Sequence, residues 1–214
     1  MTQYTSAIPY CWQDETVAIL ASGSTLCQED IDKLQGKCKI IAINDSYILC
    51  PWADVLYASD CKWWNVHDYV REFKGDRWTQ TIGRPDWPRM AHSHGINVVK
   101  GAQRINRELI CRLSDDRDIL YTGNNSAFAA MNLGIMAGSK RILLLGVDMQ
   151  VINGKRHWFG DHPKTLKNKG GYAHFRKCFK KVRKALELRG IEVVNCSPRS
   201  TLSCFRKAKI DEVI

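Results

Sequence analysis

Residues 118–163 read DILYTGNNSAFAAMNLGIMAGSKRILLLGVDMQVINGKRHWFGDHP. A short apolar run is followed by a polar turn with two asparagines, a segment of small residues, and a second apolar run that stops at Asp148. This order predicts a strand, a helix entered through a polar turn, and a strand that empties into a loop, which is a βαβ unit. Asn124 or Asn125 is placed to cap a helix over 126–137, and Gly138 stands where a C′ glycine belongs. Ala127, Ala129, Ala130, Gly134 and Ala137 keep that helix slim enough to lie close to a sheet or a ligand. In open parallel sheets ligands sit beyond the carboxyl ends of the strands, so the turn at 122–126 and the loop after Asp148 are where function is sought.

Upstream, the pattern repeats. Residues 16–20 (TVAIL) are apolar on both faces, as a central parallel strand should be. They lead into Ala21, Ser22, Gly23, Ser24, Thr25 and Leu26, and Thr25 with Gln28 gives a capping-box pattern opening a helix over 27–34. Free helix N–H groups beside a glycine and three small or hydroxyl residues make an anion-binding turn. Strands are expected over 39–44, ending in Asn44, Asp45 and Ser46, and over 54–58, ending in Ser59 and Asp60. Polar groups at successive strand ends suit a ribose or a base edge, although such residues also dominate ordinary turns.

Residues 61–100 read as the least regular stretch: a short helix, then an excursion, with a minor strand over 96–99. Trp63, Trp64, Trp78 and Trp87 either roof the core or form a wall for an acceptor. His92 and His94 lie in this stretch without a neighbouring cysteine or carboxylate in the pattern a metal site needs. A helix is expected over 105–113, a lid over 149–171, an amphipathic helix over 172–189 and a last strand over 191–194.

The length of 214 residues suits one α/β domain with a substantial core. No apolar run reaches membrane-spanning length, and the first 15 residues carry no secretory pattern, so a cytoplasmic protein is expected. Nine cysteines without a CxxC pair predict reduced thiols, with Cys50, Cys111, Cys178 and Cys196 as small core residues. The formal charge is +10, and residues 164–189 hold ten Lys or Arg against the single Glu187. That concentration is either a solvated helix face or an attractor for an anionic partner, nucleic acid included.

Two blocks carry a family resemblance. The turn ASGSTL at 21–26 resembles a GxGPSL-type turn. The block TGNNSAFAAMNLGIMAGSKRILLLGVDM resembles the TSG–helix–LG–strand–G-[IV]-D pattern of bacterial sialyltransferases of glycosyltransferase family 42. A related family of phage and bacterial proteins, and archaeal hydroxymethylpterin diphosphokinases, share these blocks. The resemblance covers roughly 17–195 and implies a modified Rossmann fold that binds a nucleotide-linked donor. Residues 1–15 are expected to be a poorly ordered or loosely packed arm, and 16–214 a single Rossmann-like domain with a mostly parallel sheet and helices on both faces. Carried over by position, Ser22, Gly23, Ser24 and Thr25 would meet donor phosphate or ribose. Asn44 and Asp60 would meet the nucleoside, Asn125 and Ser126 the donor near its phosphate, and Asp148 would stand below the lid. His174, at the start of the helix after the lid, takes the place of the general base. The loop RHWFGDHP lacks the sialyltransferase tyrosine pair, and the first-turn proline is absent. The loop offers instead Arg156, His157, Asp161 and His162, as leaving-group acid, phosphate clamp or, with Asp148, holders of a divalent ion.

The expected activity is therefore glycosyl transfer from a nucleotide sugar to a hydroxyl acceptor, a glycan or a hydroxylated nucleic-acid base. His174 or His162 would be the base, and no metal or other cofactor is required. The alternatives are a diphosphokinase using ATP and magnesium on Asp60, Asp148 and Asp161, and a non-catalytic module that binds nucleotide or nucleic acid.

Overall fold

A computed structural model describes residues 4–81, 84–102, 110–160, 166 and 171–214. The strands are β1 (Thr16–Leu20), β2 (Lys39–Ile43), β3 (Val55–Tyr57), β4 (Asp76–Gln80), β5 (Asn97–Gly101), β6 (Ile119–Leu120), β7 (Arg141–Leu145), β8 (Glu192–Asn195) and β9 (Arg206–Lys207). They form one sheet in the order β6-β5-β4-β3-β2-β1-β7-β8-β9, parallel throughout. The helices are α1 (Gln28–Asp32), α2 (Cys61–Val66), α3 (Trp87–Ser93), α4 (Ser126–Met136) and α5 (Tyr172–Leu188). The expected α/β, Rossmann-like architecture is what the chain adopts.

The central strands alternate between two cores. Val17, Ile19, Ile41, Ile43, Ile142 and Leu144 face α4 and α5, where Phe128, Ala129, Phe179 and Val182 meet them. Ala18, Leu20, Ile40, Ala42, Leu143 and Leu145 face Ile31 of α1, Trp63 and Trp64 of α2, and Trp87 of α3. Burial on both faces is why these strands read as continuous apolar runs. A Cβ on Gly134 would sit 3.4 Å from Val17 and 3.4 Å from Ile142, so the slim helix α4 does press close to β1 and β7.

Residues 61–100 depart from expectation. They are regular, contributing α2, β4, α3 and β5. Strand β4 (DRWTQ) has the buried pair Trp78 and Thr79 flanked by more exposed polar residues, so it lacks the apolar run that marks β1 and β7. The four tryptophans here are buried core residues and form no acceptor wall. His94 stacks on Tyr69 at 3.6 Å between ring centres. The N-terminal arm is packed: Ile8 and Trp12 are buried, and the amide of Trp12 donates to the Ala137 carbonyl at 2.8 Å. The helix expected over 105–113 falls largely outside the described residues.

One cysteine pair departs from the reduced state expected of it. Cys111 and Cys178, 67 residues apart, are disulfide-bonded, with Cα atoms 4.6 Å apart. Sequence spacing gave no sign of this, because the fold alone brings the loop at 110–113 against α5. Among the described residues no helix is long and apolar enough to cross a membrane.

Candidate functional site

The chain adds β2 to β6 on one side of β1, then crosses to place β7 on its other side. The reversal makes a crevice beyond the carboxyl ends of β1 and β7, the place where doubly wound sheets bind ligands. Residues 22–25 and 146–148 line it.

Two glycines allow these turns to touch. Gly23 donates its amide to the Gly146 carbonyl at 2.8 Å, and a Cβ on Gly23 would lie 2.2 Å from that oxygen and 2.7 Å from the Asp148 carboxyl carbon. Gly146 has φ +65°, and a Cβ there would lie 2.5 Å from the Ala21 carbonyl oxygen. The contact seats Asp148, only 3% exposed, under the first turn. Its carboxylate accepts from the Thr25 amide at 3.0 Å, the Ser24 hydroxyl at 3.2 Å and, by a short bond, the Thr25 hydroxyl. Thr25 therefore does not cap α1. The cap position falls to Cys27 without a side-chain bond, and Gln28 donates to Asp32 and to the Leu49 carbonyl. The Thr25 hydroxyl is turned instead to the Asp148 carboxylate, a charge-assisted bond stronger than the neutral one a capping hydroxyl accepts from a backbone amide.

The end of β7 is braced from the far side. Ser197 Oγ accepts from the Val147 amide at 2.8 Å, Ser200 Oγ donates to the Val147 carbonyl at 2.6 Å, and the Thr201 amide donates to the Asp148 carbonyl at 2.9 Å. Within the expected lid, the Trp158 amide donates to the Ser22 carbonyl at 3.1 Å, which seats the loop on the first turn. His157 stacks on Phe159 at 5.1 Å, and Arg156 is exposed. Tyr172, half-buried at the head of α5, lies in the fields of Arg156 and Asp148; burial leads in pushing its phenol above the ordinary range. Asp161 and His162 lie outside the described residues.

The other strand ends and helix heads complete the rim. Asn44 leaves β2 in the left-handed conformation, φ +50°, and is half-buried. Ser59 after β3 donates to the buried Tyr57 hydroxyl at 2.9 Å and lies 3.4 Å from Ser126 Oγ at the first turn of α4. This joins the β3 end to the head of α4. Asp60 is exposed and caps α2 through the Lys62 amide at 2.9 Å. Asn125 caps α4, accepting from the Phe128 amide at 3.0 Å. His174 Nε2 lies 3.6 Å from the Cys178 sulfur, which is 3.7 Å from the Gly123 carbonyl oxygen. Thus α5 delivers His174 beside the turn that opens α4.

Three supports are not read as such from the sequence; Asp45 is expected there among the polar groups offered to a ribose or base edge. Asp45, next to Asn44, accepts from Trp63 Nε1 at 3.2 Å and from His67 Nε2 at 2.9 Å, while His67 Nδ1 donates to the Trp63 carbonyl at 2.8 Å. Both ring nitrogens face acceptors, so the imidazolium is the form that satisfies them. Burial opposes its charge, but the Asp45 bond, the Trp63 carbonyl and the Asp45 charge outweigh it and hold the His67 pKa above its ordinary value. Asn132, fully buried in α4, donates to the Arg112 and Tyr121 carbonyls at 3.0 and 2.8 Å and accepts from the Ser114 amide at 3.2 Å. Arg176 donates to the Met149 carbonyl at 2.9 Å, tying α5 to the start of the lid. A polar residue inside a helix of small apolar ones was the available signal for Asn132; the other two had none.

No family model matches the chain, and no curated protein does. Among solved structures the chain is similar to the sialyltransferase CstII from Campylobacter jejuni in complex with the substrate analogue cytidine-5'-monophosphate. The identity is 13%, the match covers 91% of this chain and 85% of that one, and the TM-score is 0.58. The same enzyme in complex with CMP-3FNeuAc matches at 11% identity, over 90% and 84% of the two chains, with a TM-score of 0.55. At such identity the likeness is one of fold.

Proposed function

We propose that the chain transfers a sugar from a nucleotide-linked donor to a hydroxyl acceptor. The observation that carries this is the match of 91% of the chain to the fold of a sialyltransferase holding cytidine monophosphate. The head of α4, beside the switch point, supports it with the groups a donor phosphate needs. Because the Asp148 carboxylate already occupies the donors of Ser24 and Thr25, a phosphate entering there would meet a negative charge. The donor phosphate therefore belongs at the head of α4, where Asn125, Ser126 and the positive end of an 11-residue helix converge. The nucleoside then extends toward Asn44 and Asp60, and residues 22–25 with Asp148 form the crevice wall.

His174 is the base in this proposal, half-buried in the first turn of α5 and near the head of α4. An imidazole suits the task because a ring nitrogen can take up the proton of an acceptor hydroxyl. His157 and His162 are reserved for the leaving group. The exposed Lys180, Lys181 and Lys184 of α5 favour an anionic acceptor.

A thermal-shift series with cytidine, uridine and adenosine nucleotides, each with and without magnesium, tests the proposal. A ligand at 100 times its dissociation constant adds about 2.7 kcal/mol. Stabilisation by a pyrimidine nucleotide or its sugar conjugate without metal supports transfer. Stabilisation only by ATP with magnesium overturns it in favour of phosphate transfer, and no response to any nucleotide overturns it in favour of a module that does not use one.

A further inference from the structure

The soft-ligand chemistry of this chain is gathered at one place. The Sγ atoms of Cys111 and Cys178 and one ring nitrogen of His174 all lie within 4.8 Å of one another, and among the described residues no other His, Cys, Asp and Glu side chains assemble in this way. His174 and Cys178 are four residues apart on α5, one turn above the other on the same face. Cys111 comes from a separate segment, held to α4 by the bond from the Ser114 amide to buried Asn132. Ligands from two separate segments, converging without a carboxylate among them, are a donor set for a thiophilic cation.

The remaining cysteines lack this setting. Burial leads in pushing the thiols of Cys38, Cys196 and Cys204 up to about 11 and that of Cys50 up to about 12, which keeps them protonated and inert.

We propose that Cys111, His174 and Cys178 form, when the two cysteines are reduced, a three-ligand site for zinc. The disulfide is its metal-free, oxidised form. A dithiol reductant supplies two electrons and two protons, opening the sulfur–sulfur bond to two thiols while closing its own disulfide. Zinc then displaces both thiol protons to form two zinc–sulfur bonds, and His174 gives the lone pair of Nε2. Rotation of the cysteine side chains must open the sulfur pair to tetrahedral spacing. Three protein ligands leave one position for water or a ligand atom, and His174, half-buried beside two buried cysteines, marks the open side. The site stands on the geometry of the cluster, independently of the transferase proposal. The two share His174, and a metal-bound imidazole cannot accept a proton, so zinc would hold such a base idle.

Cobalt(II) titration of the full chain, reduced with dithiothreitol that is then removed without air, reads the site directly. The expected result is one equivalent bound with a thiolate-to-cobalt charge-transfer band, displaced by zinc, and no band in the same protein oxidised to the disulfide. Cys111→Ser and Cys178→Ser should abolish the band. His174→Ala should weaken binding by more than the roughly 10–100-fold that losing an outer partner costs. Absence of the band in reduced wild-type protein, or an equal band in the oxidised protein, overturns the proposal. Because those two samples share one sequence, a variant that fails to fold does not decide the outcome. A nucleotide shift that survives in the oxidised protein separates failure of this site from failure of the transferase proposal.

Discussion

The Asp148 carboxylate binds both the amide and the hydroxyl of Thr25, a residue 123 positions earlier in the chain. This pair fastens the turn after β1 to the end of β7 at the point where the strand order reverses. Replacing Thr25 by Val keeps the side-chain shape but removes the hydroxyl donor. A hydrogen bond to a charged group contributes about 1.5–3 kcal/mol, so Thr25→Val should lose stability in that range in urea denaturation. An unchanged midpoint would show that the carboxylate is satisfied without Thr25.

Gly146 should resist substitution more than Gly154 does. Both have positive φ, +65° and +75°, but a Cβ at Gly146 meets the Ala21 carbonyl at 2.5 Å, whereas at Gly154 nothing lies within 4 Å. Gly154→Ala should cost about 1–2 kcal/mol for the left-handed backbone alone. Gly146→Ala must also separate β1 from β7 and should exceed this. Equal losses would mean that the two strand ends do not need to touch.

The Asp45–His67 pair makes stability depend on pH. Since the folded pKa of His67 is raised, its contribution is complete below the unfolded value near 6.5 and fades as pH rises through the higher folded value. The stability difference between wild type and His67→Gln should therefore narrow as pH is raised from about 6 to 9. A difference that is flat or widens across that window would show that the neutral imidazole is the native form.

Asn132→Leu should be among the most damaging single changes away from the crevice. It leaves the buried Ser114 amide and the partly buried Arg112 and Tyr121 carbonyls without this partner. Unsatisfied buried groups cost about 1–3 kcal/mol each, so a loss of several kcal/mol is expected in thermal or urea unfolding. A loss below about 1 kcal/mol would show that water reaches this side of α4.

If His174 is the transfer base, His174→Ala should lower the turnover rate by roughly 10²–10⁴-fold while leaving nucleotide-induced stabilisation intact. A variant that turns over at the wild-type rate would move the base elsewhere, and one that loses nucleotide binding would recast His174 as a binding residue.

Sequence alone was enough for the parts whose information is local. Strands β1, β2 and β7 are buried on both faces and so spell unbroken apolar runs, and α4 and α5 announce themselves by an asparagine cap and by a sharp apolar stripe. Strand β4 was hidden because its buried part is only Trp78 and Thr79 between polar ends, which no periodicity test separates from a loop. Sequence places Ser24, Thr25 and Asp148 at strand ends, but the strand order that sets β1 beside β7, and so brings them together, is tertiary. That their side chains bind one another, leaving Thr25 no part in capping α1, is decided by a contact across 123 residues. The meeting of Cys111, Cys178 and His174 is likewise tertiary: the cysteines are 67 residues apart and only packing of the 110–113 loop against α5 brings them together. Local pattern marks the strands and helices whose buried face is written in neighbouring positions, and misses those such as β4 whose buried part is only two residues long. Which polar groups find each other depends on the long-range closure of the sheet, which brings the Asp148 carboxylate within reach of the Thr25 hydroxyl and amide.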